Sequence, residues 1–243
     1  MESPRTVSAA RGEIKELASD VGEHVDAFVE AVKPHLRGWL HLAMAPLALI
    51  GGLVLTSTAP TQGGRLAAMV FTITAGLLFA TSAIYHRGRW GTRMAAALRR
   101  WDHANIFLII AGSYTPFALM LPRSQAVSLL AIVWSGAILG VIFRVCWVGA
   151  PRWLYVPVYM ALGFVAVFYI KPLLTHGGWT ILGFVLAGGA LYTAGALVYG
   201  FKRPNPSPRW FGFHEIFHAL TVLAFISHFV AATLALFGPI ANA

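Results

Sequence analysis

The sequence predicts an all-α polytopic membrane protein, a bundle of seven transmembrane helices. Three observations predict it. The chain of 243 residues is 58% hydrophobic and 11% charged, against roughly 25% charged in an average soluble domain, and its mean hydropathy is +0.70. Its apolar residues fall into seven runs, each near the ~20 residues that a membrane-crossing helix needs. Lys and Arg crowd into alternate connections between those runs, which is a topology signal. A soluble fold of this length could not bury so much apolar surface. The net charge of +9 and the pI near 10.2 do not indicate a nucleic-acid partner, because the cations sit in short loops between apolar segments. The expected partners are membrane lipids. The single cysteine, Cys146, excludes an intrachain disulfide and a thiolate metal site.

Residues 1–38 read as a cytoplasmic N-terminal segment and residues 39–243 as the membrane domain. Within the segment, Ile14, Leu17, Val21, Val25, Phe28 and Val32 recur at spacings of three and four. That marks one face of an amphipathic helix over 12–33, rich in acidic residues and read as solvated against the bundle. The spans follow at 39–58, 65–86, 104–121, 125–146, 153–170, 179–200 and 213–237. Short connections join them. In the last connection, "KRPNPSPRW", three alternating prolines predict a stiff turn.

Orientation follows from the cations. One side carries Arg5, Arg11, Lys15, Lys33, Arg37, Arg87, Arg89, Arg93, Arg99, Arg100, Arg144, Arg152, Lys202, Arg203 and Arg209. The other carries Arg65, Arg123 and Lys171. The positive-inside rule places the N-terminus in the cytoplasm and the C-terminus outside the cell membrane.

Ionisable residues inside membrane spans are functional candidates by default. Ser82 and His86 end the second span, Asp102 and His103 open the third, and His214, Glu215 and His218 open the seventh. With the expected topology, three segments deliver these groups to one depth at the cytoplasmic side. His214 and His218 are i and i+4, on one helix face; Ser82 and His86 repeat the spacing. Three neutral imidazoles with one open position make a catalytic zinc sphere. The scarcity of thiolates and carboxylates favours Zn²⁺ over calcium or magnesium. Asp102 then serves as a water-directed group and Ser82 as a hydroxyl one turn deeper. His-Glu-x-x-His also suggests a zinc protease with Glu215 as base. His228, ten residues past His218, is roughly 15 Å along the axis, and reads as a core or substrate-path residue. His103 cannot easily share a face with Asp102. His24, His35, His41 and His176 read as ordinary core or interfacial histidines. "GSYTP", with Gly112 and Pro116, reads as a packing and kink element.

"SAIYH", "WDHANIFLIIAGSYTPF" and "FHEIFHALTVLAFISHF", in that order, resemble the hemolysin III branch of the progestin and adiponectin receptor family. The resemblance runs from about residue 38 to 237. It implies a seven-helix bundle with the N-terminus inside and a zinc ion held near the cytoplasmic face by three histidines. Carried over, these are His86, His214 and His218, with Ser82 and Asp102 as the family's serine and aspartate. The resemblance further implies a hydrolase of lipid amides, akin to alkaline ceramidases in its metal site, or a factor in membrane-lipid homeostasis. It also demotes Glu215, since glutamine can stand there in relatives. On this reading Asp102 and Ser82 are the catalytic pair: Asp102 accepts a proton from water and Ser82 holds the water or the oxyanion. Two alternatives stay open: a receptor or cytolysin with structural zinc, and an intramembrane zinc protease.

Overall fold

The computed structural model of the protein describes residues 34–147 and 149–238. The amphipathic helix expected over 12–33 lies outside them. The described residues are helical throughout, joined by short turns, with no strand among them beyond one isolated bridge between Ser207 and Phe211. The helices are α1 (Trp39–Thr58), α2 (Gln62–Arg87), α3 (Thr92–Ala118), α4 (Arg123–Cys146), α5 (Arg152–Gly163), α6 (Ile170–Phe201) and α7 (Phe213–Phe237). A 3-10 segment, Phe164–Tyr169, connects α5 to α6 without a loop. α1 and α7 coincide with the first and last expected spans.

Five helical runs are long and apolar enough to cross a membrane: Trp39–Thr58, Gln62–Arg87, Arg123–Cys146, Arg152–Phe201 and Phe213–Phe237. That is fewer than the seven expected spans, for two physical reasons. α3 begins well before its apolar run, and its first turns carry Arg93, Arg99, Arg100 and Asp102. The expected spans 153–170 and 179–200 lie in one continuous helical run of 50 residues. This run is not straight. Gly178 has φ 72° and ψ 177°, a conformation open to glycine and strained for other residues. The Tyr155 and Tyr199 hydroxyls are 3.2 Å apart, although 44 residues of straight helix would separate them by roughly 66 Å. The run therefore doubles back on itself.

Tyr114 of α3 holds the start of the 3-10 segment in place. Its hydroxyl donates to the Gly163 carbonyl at 2.6 Å and accepts from the Ala166 N–H at 2.7 Å. A helix interruption leaves such backbone groups unpaired, and in an apolar setting each must find a partner. Two residues earlier, Gly112 lets α3 approach α2 closely, because a Cβ there would overlap the Thr74 side chain. "GSYTP" is thus a packing element, as expected.

Sequential neighbours α1, α2, α3 and α4 pack side by side, α6 packs on α7, and α7 also touches α1 and α3. Many outward-facing residues are large and apolar, including Leu47, Ile50 and Leu53 on α1 and Ile138, Leu139 and Ile142 on α4. Six of the buried polar residues, Ser82, His86, Asp102, His103, Glu215 and His218, gather at one end of the bundle.

Candidate metal centre

α7 starts under tight local control. Its N-cap is Gly212, and the Glu215 carboxylate reaches back to accept the Gly212 N–H at 2.8 Å. That contact satisfies one of the orphan donors of a helix N-terminus. The Phe213 N–H is taken by Asn205 Oδ1 at 3.1 Å. The other Glu215 oxygen pairs with Arg37 Nε. Residues just before α1 also pair with the loop before α7, through His35 N–H to the Arg209 carbonyl at 3.0 Å and Leu36 N–H to the Trp210 carbonyl at 3.3 Å. The first turn of α7, which carries His214, is therefore fixed from both sides.

From this base, one ligand-type nitrogen from each of His86, His214 and His218 converges, all within 4.8 Å of one another. His86 Nε2 and His214 Nε2 stand 3.3 Å apart. Two ligands at ~2.0–2.1 Å from a tetrahedral ion would be separated by about 3.3 Å. The donor set, with all three rings buried or half-buried, fits zinc. Asp102 Oδ2 lies 3.6 Å from His86 Nε2, and Ser82 lines the same end of the cavity as Asp102. The five residues singled out from the sequence are thus brought together by α2, α3 and α7.

The two carboxylates of the region have different surroundings. Glu215 is buried at 1% exposure, with both oxygens engaged by Arg37 and Gly212. Asp102 instead lines a cavity. His103 is fully used: its Nδ1–H donates to the Arg99 carbonyl at 2.8 Å, so Nε2 accepts from the Tyr199 hydroxyl at 3.2 Å. It forms cavity wall and offers no free lone pair. His176 is satisfied locally by the Pro172 carbonyl at 2.9 Å, and His35 lies against Trp210.

His41 departs from its ordinary reading. It is buried and stacks on His218, with ring centres 3.8 Å apart and planes 11° apart. Neither of its nitrogens has a hydrogen-bond partner among the described residues. A lone histidine on the first span has no spacing signal, and only the packing of α1 beside α7 brings it here.

The cavity opens beside these groups. It has a volume of about 160 Å³, room for on the order of ten waters or a chain of similar bulk. Asp102, Ser82, His41, His214 and His218 line one end. Its walls are mostly apolar, with Ile106, Ile109, Ile110 and Val185 among them, and it reaches Phe117 and His228. Phe117 lies fifteen residues along α3 from Asp102, roughly 22 Å of helix.

Fold and site together define a class: a multi-pass membrane protein with a buried three-histidine cluster at one end of an elongated apolar cavity. A family model described as Haemolysin-III related matches residues 29–229, so the chain belongs to the haemolysin III family. It is 34% identical to "Hemolysin-3" of Bacillus cereus over 160 residues, covering 64% of this chain and 71% of that protein. It is 33% identical to "Hemolysin-3 homolog" of Bacillus subtilis (strain 168) over 138 residues, covering 55% of this chain and 63% of that protein.

Proposed function

We propose that the protein is a zinc-dependent hydrolase of membrane lipids, cleaving an amide or ester bond at the cytoplasmic boundary of the bilayer. The observation that carries this reading is the convergence of His86, His214 and His218 at one end of a cavity whose other walls suit a hydrocarbon chain. The three imidazoles would hold the ion. Bound zinc supplies a Lewis acid and brings the pKa of water to about 7. The chain's own groups do the rest. Asp102, beside His86, takes a proton from the attacking water, and a positioned base of this kind contributes typically ~10²–10⁴-fold. Ser82 offers its hydroxyl to the water or the developing oxyanion. The apolar walls receive the chain, and the outer bilayer-facing surface lets lipid approach without crossing water.

The topology that goes with this activity has seven passes. α3 makes one despite its charged first turns, and the doubled-back run from Arg152 to Phe201 makes two. The distribution of Lys and Arg supports a cytoplasmic N-terminus, with residues 1–38 as a cytoplasmic segment, and an extracytoplasmic C-terminus. The protease reading loses support because Glu215 is occupied in a cap and an ion pair. A non-enzymatic reading, as receptor or cytolysin, is served by the same histidines, since zinc there would clamp α2 to α7. Turnover separates the two. Purified zinc-loaded protein is incubated with N-acyl and O-acyl lipids in mixed micelles, and released fatty acid is measured. Release that depends on Asp102 supports the hydrolase. No release from any lipid class at full zinc occupancy refutes it.

A further inference from the structure

Far from the histidine cluster, the apolar cavity holds a second polar place. His228 of α7 and Tyr192 of α6 meet there, ring centres 5.5 Å apart. His228 lies ten residues beyond His218, about 15 Å along the helix. Tyr192 lies seven residues before Tyr199, whose ring is 5.7 Å from His214, or roughly 10 Å deeper.

The fold makes room for His228. A Cβ at Gly188 would overlap its ring, so glycine at 188 lets the imidazole reach α6. Its Nε2 contacts the Val185 carbonyl at 3.2 Å. A carbonyl only accepts, so Nε2 carries the proton and Nδ1 presents a lone pair. This bond, with the neighbouring Ser227 hydroxyl to the Phe184 carbonyl at 2.8 Å, serves helix association. It leaves Nδ1 unexplained, because Nδ1 is buried without a partner. Tyr192 beside it is half-buried and turns its ring toward the imidazole. Both residues line the cavity, His228 at 9% exposure. A buried polar group without a partner is costly, and His228 Nδ1, set beside a tyrosine in an apolar cavity, calls for a partner that Tyr192 can share.

We propose that His228 and Tyr192 form a distal recognition site for a hydroxyl group on the hydrocarbon chain of a bound lipid. This rests on the cavity receiving a lipid chain. His228 Nδ1 accepts from the hydroxyl hydrogen, and the Tyr192 O–H donates to the hydroxyl oxygen. The intervening walls, such as Ile109, Ile110 and Phe117, fit the methylene stretch between headgroup and hydroxyl. A site built to pair a hydroxyl discriminates against a chain lacking it, since the unmodified chain leaves His228 Nδ1 unpaired.

The test uses the full-length zinc-loaded protein in detergent, with oleic acid and ricinoleic acid as probes. Ricinoleic acid differs by one mid-chain hydroxyl. Binding is measured by displacement of a fluorescent fatty acid. The parent protein is expected to bind ricinoleic acid roughly tenfold more tightly, as one or two net hydrogen bonds imply. Tyr192→Phe and His228→Phe should each reduce the preference to about threefold or less, with oleic acid affinity and zinc content unchanged. Equal affinity of the parent for the two acids overturns the distal site and leaves the hydrolase reading standing. A preference that survives both substitutions also overturns it. Failure of both acids to bind overturns both this site and the lipid-chain reading of the cavity.

Discussion

Replacing Arg37 by Met should harm the protein more than replacing Glu215 by Gln, although the two residues form one ion pair. The Glu215 side chain is 1% exposed, whereas that of Arg37 is 19% exposed. Arg37→Met leaves a buried carboxylate with only the Gly212 N–H for support. Breaking a buried pair from one side costs about 3–5 kcal/mol, because the remaining charge is uncompensated. Glu215→Gln removes the buried charge itself. Its amide oxygen can still cap Gly212, and the freed Arg37 can reach water. The expected loss is about 1–2 kcal/mol, one charge-assisted hydrogen bond. The double variant Arg37→Met/Glu215→Gln should therefore be more stable than Arg37→Met alone, which is a sign reversal that simple additivity forbids. Denaturant unfolding in detergent, followed by tryptophan fluorescence, reads all four proteins. Equal stability of parent and Arg37→Met would refute the buried pair. Hydrolysis separates structure from chemistry: Glu215→Gln should retain activity within a few-fold, and a loss of about 10²-fold or more at intact stability would make Glu215 the base.

Elemental analysis should find about one zinc per chain, the stoichiometry of a single catalytic site, and His218→Ala should remove most of it. Full retention after loss of both His214 and His218 would refute the site. Asp102→Asn should keep zinc and fold but lower lipid hydrolysis by ~10²–10⁴-fold, measured as fatty acid release; unchanged release would remove Asp102 from the chemistry. Reporter fusions at the two ends should report from opposite sides of the membrane, the N-terminal one from the cytoplasm. Both ends on one side would contradict seven passes.

Much of the site was legible because helical periodicity and topology act together. His214 and His218 share a face by spacing alone, and the Lys and Arg bias sets His86, Asp102 and His214 at one depth before any contact is known. The limits α1 and α7 were also readable, since each apolar run ends at a glycine or a turn. What stayed hidden depends on packing between helices distant in sequence. His41 has no partner at helical spacing, and its stacking on His218 follows from how α1 lies beside α7. The pairing of Arg37 with Glu215 joins residues 178 apart, and nothing in either segment announces the other. The Arg152–Phe201 run reads as two spans in the sequence, yet residues 171–178 between them belong to α6, whose path is broken at Gly178 instead of by a loop.

Charge scarcity gives Asp102 its place. Beyond the first 30 residues the chain has two carboxylates, Asp102 and Glu215, among many arginines. Inside a membrane protein each carboxylate needs a compensating partner or a function. Glu215 has a cation and a helix N-terminus, and with both oxygens engaged it has no free acceptor for a substrate proton. Asp102 has no Lys or Arg partner among the described residues; its neighbours are His86, His103 and Ser82. An imidazole that donates its lone pair to a metal cannot also neutralise a carboxylate by taking up a proton at that nitrogen. A carboxylate set against such a ligand, at the wall of a cavity, is left able to accept a proton from what enters. That is the chemical distinction between the two acids, and on the proposed function it is why the His-Glu-x-x-His pattern would supply ligands while the base would come from another helix.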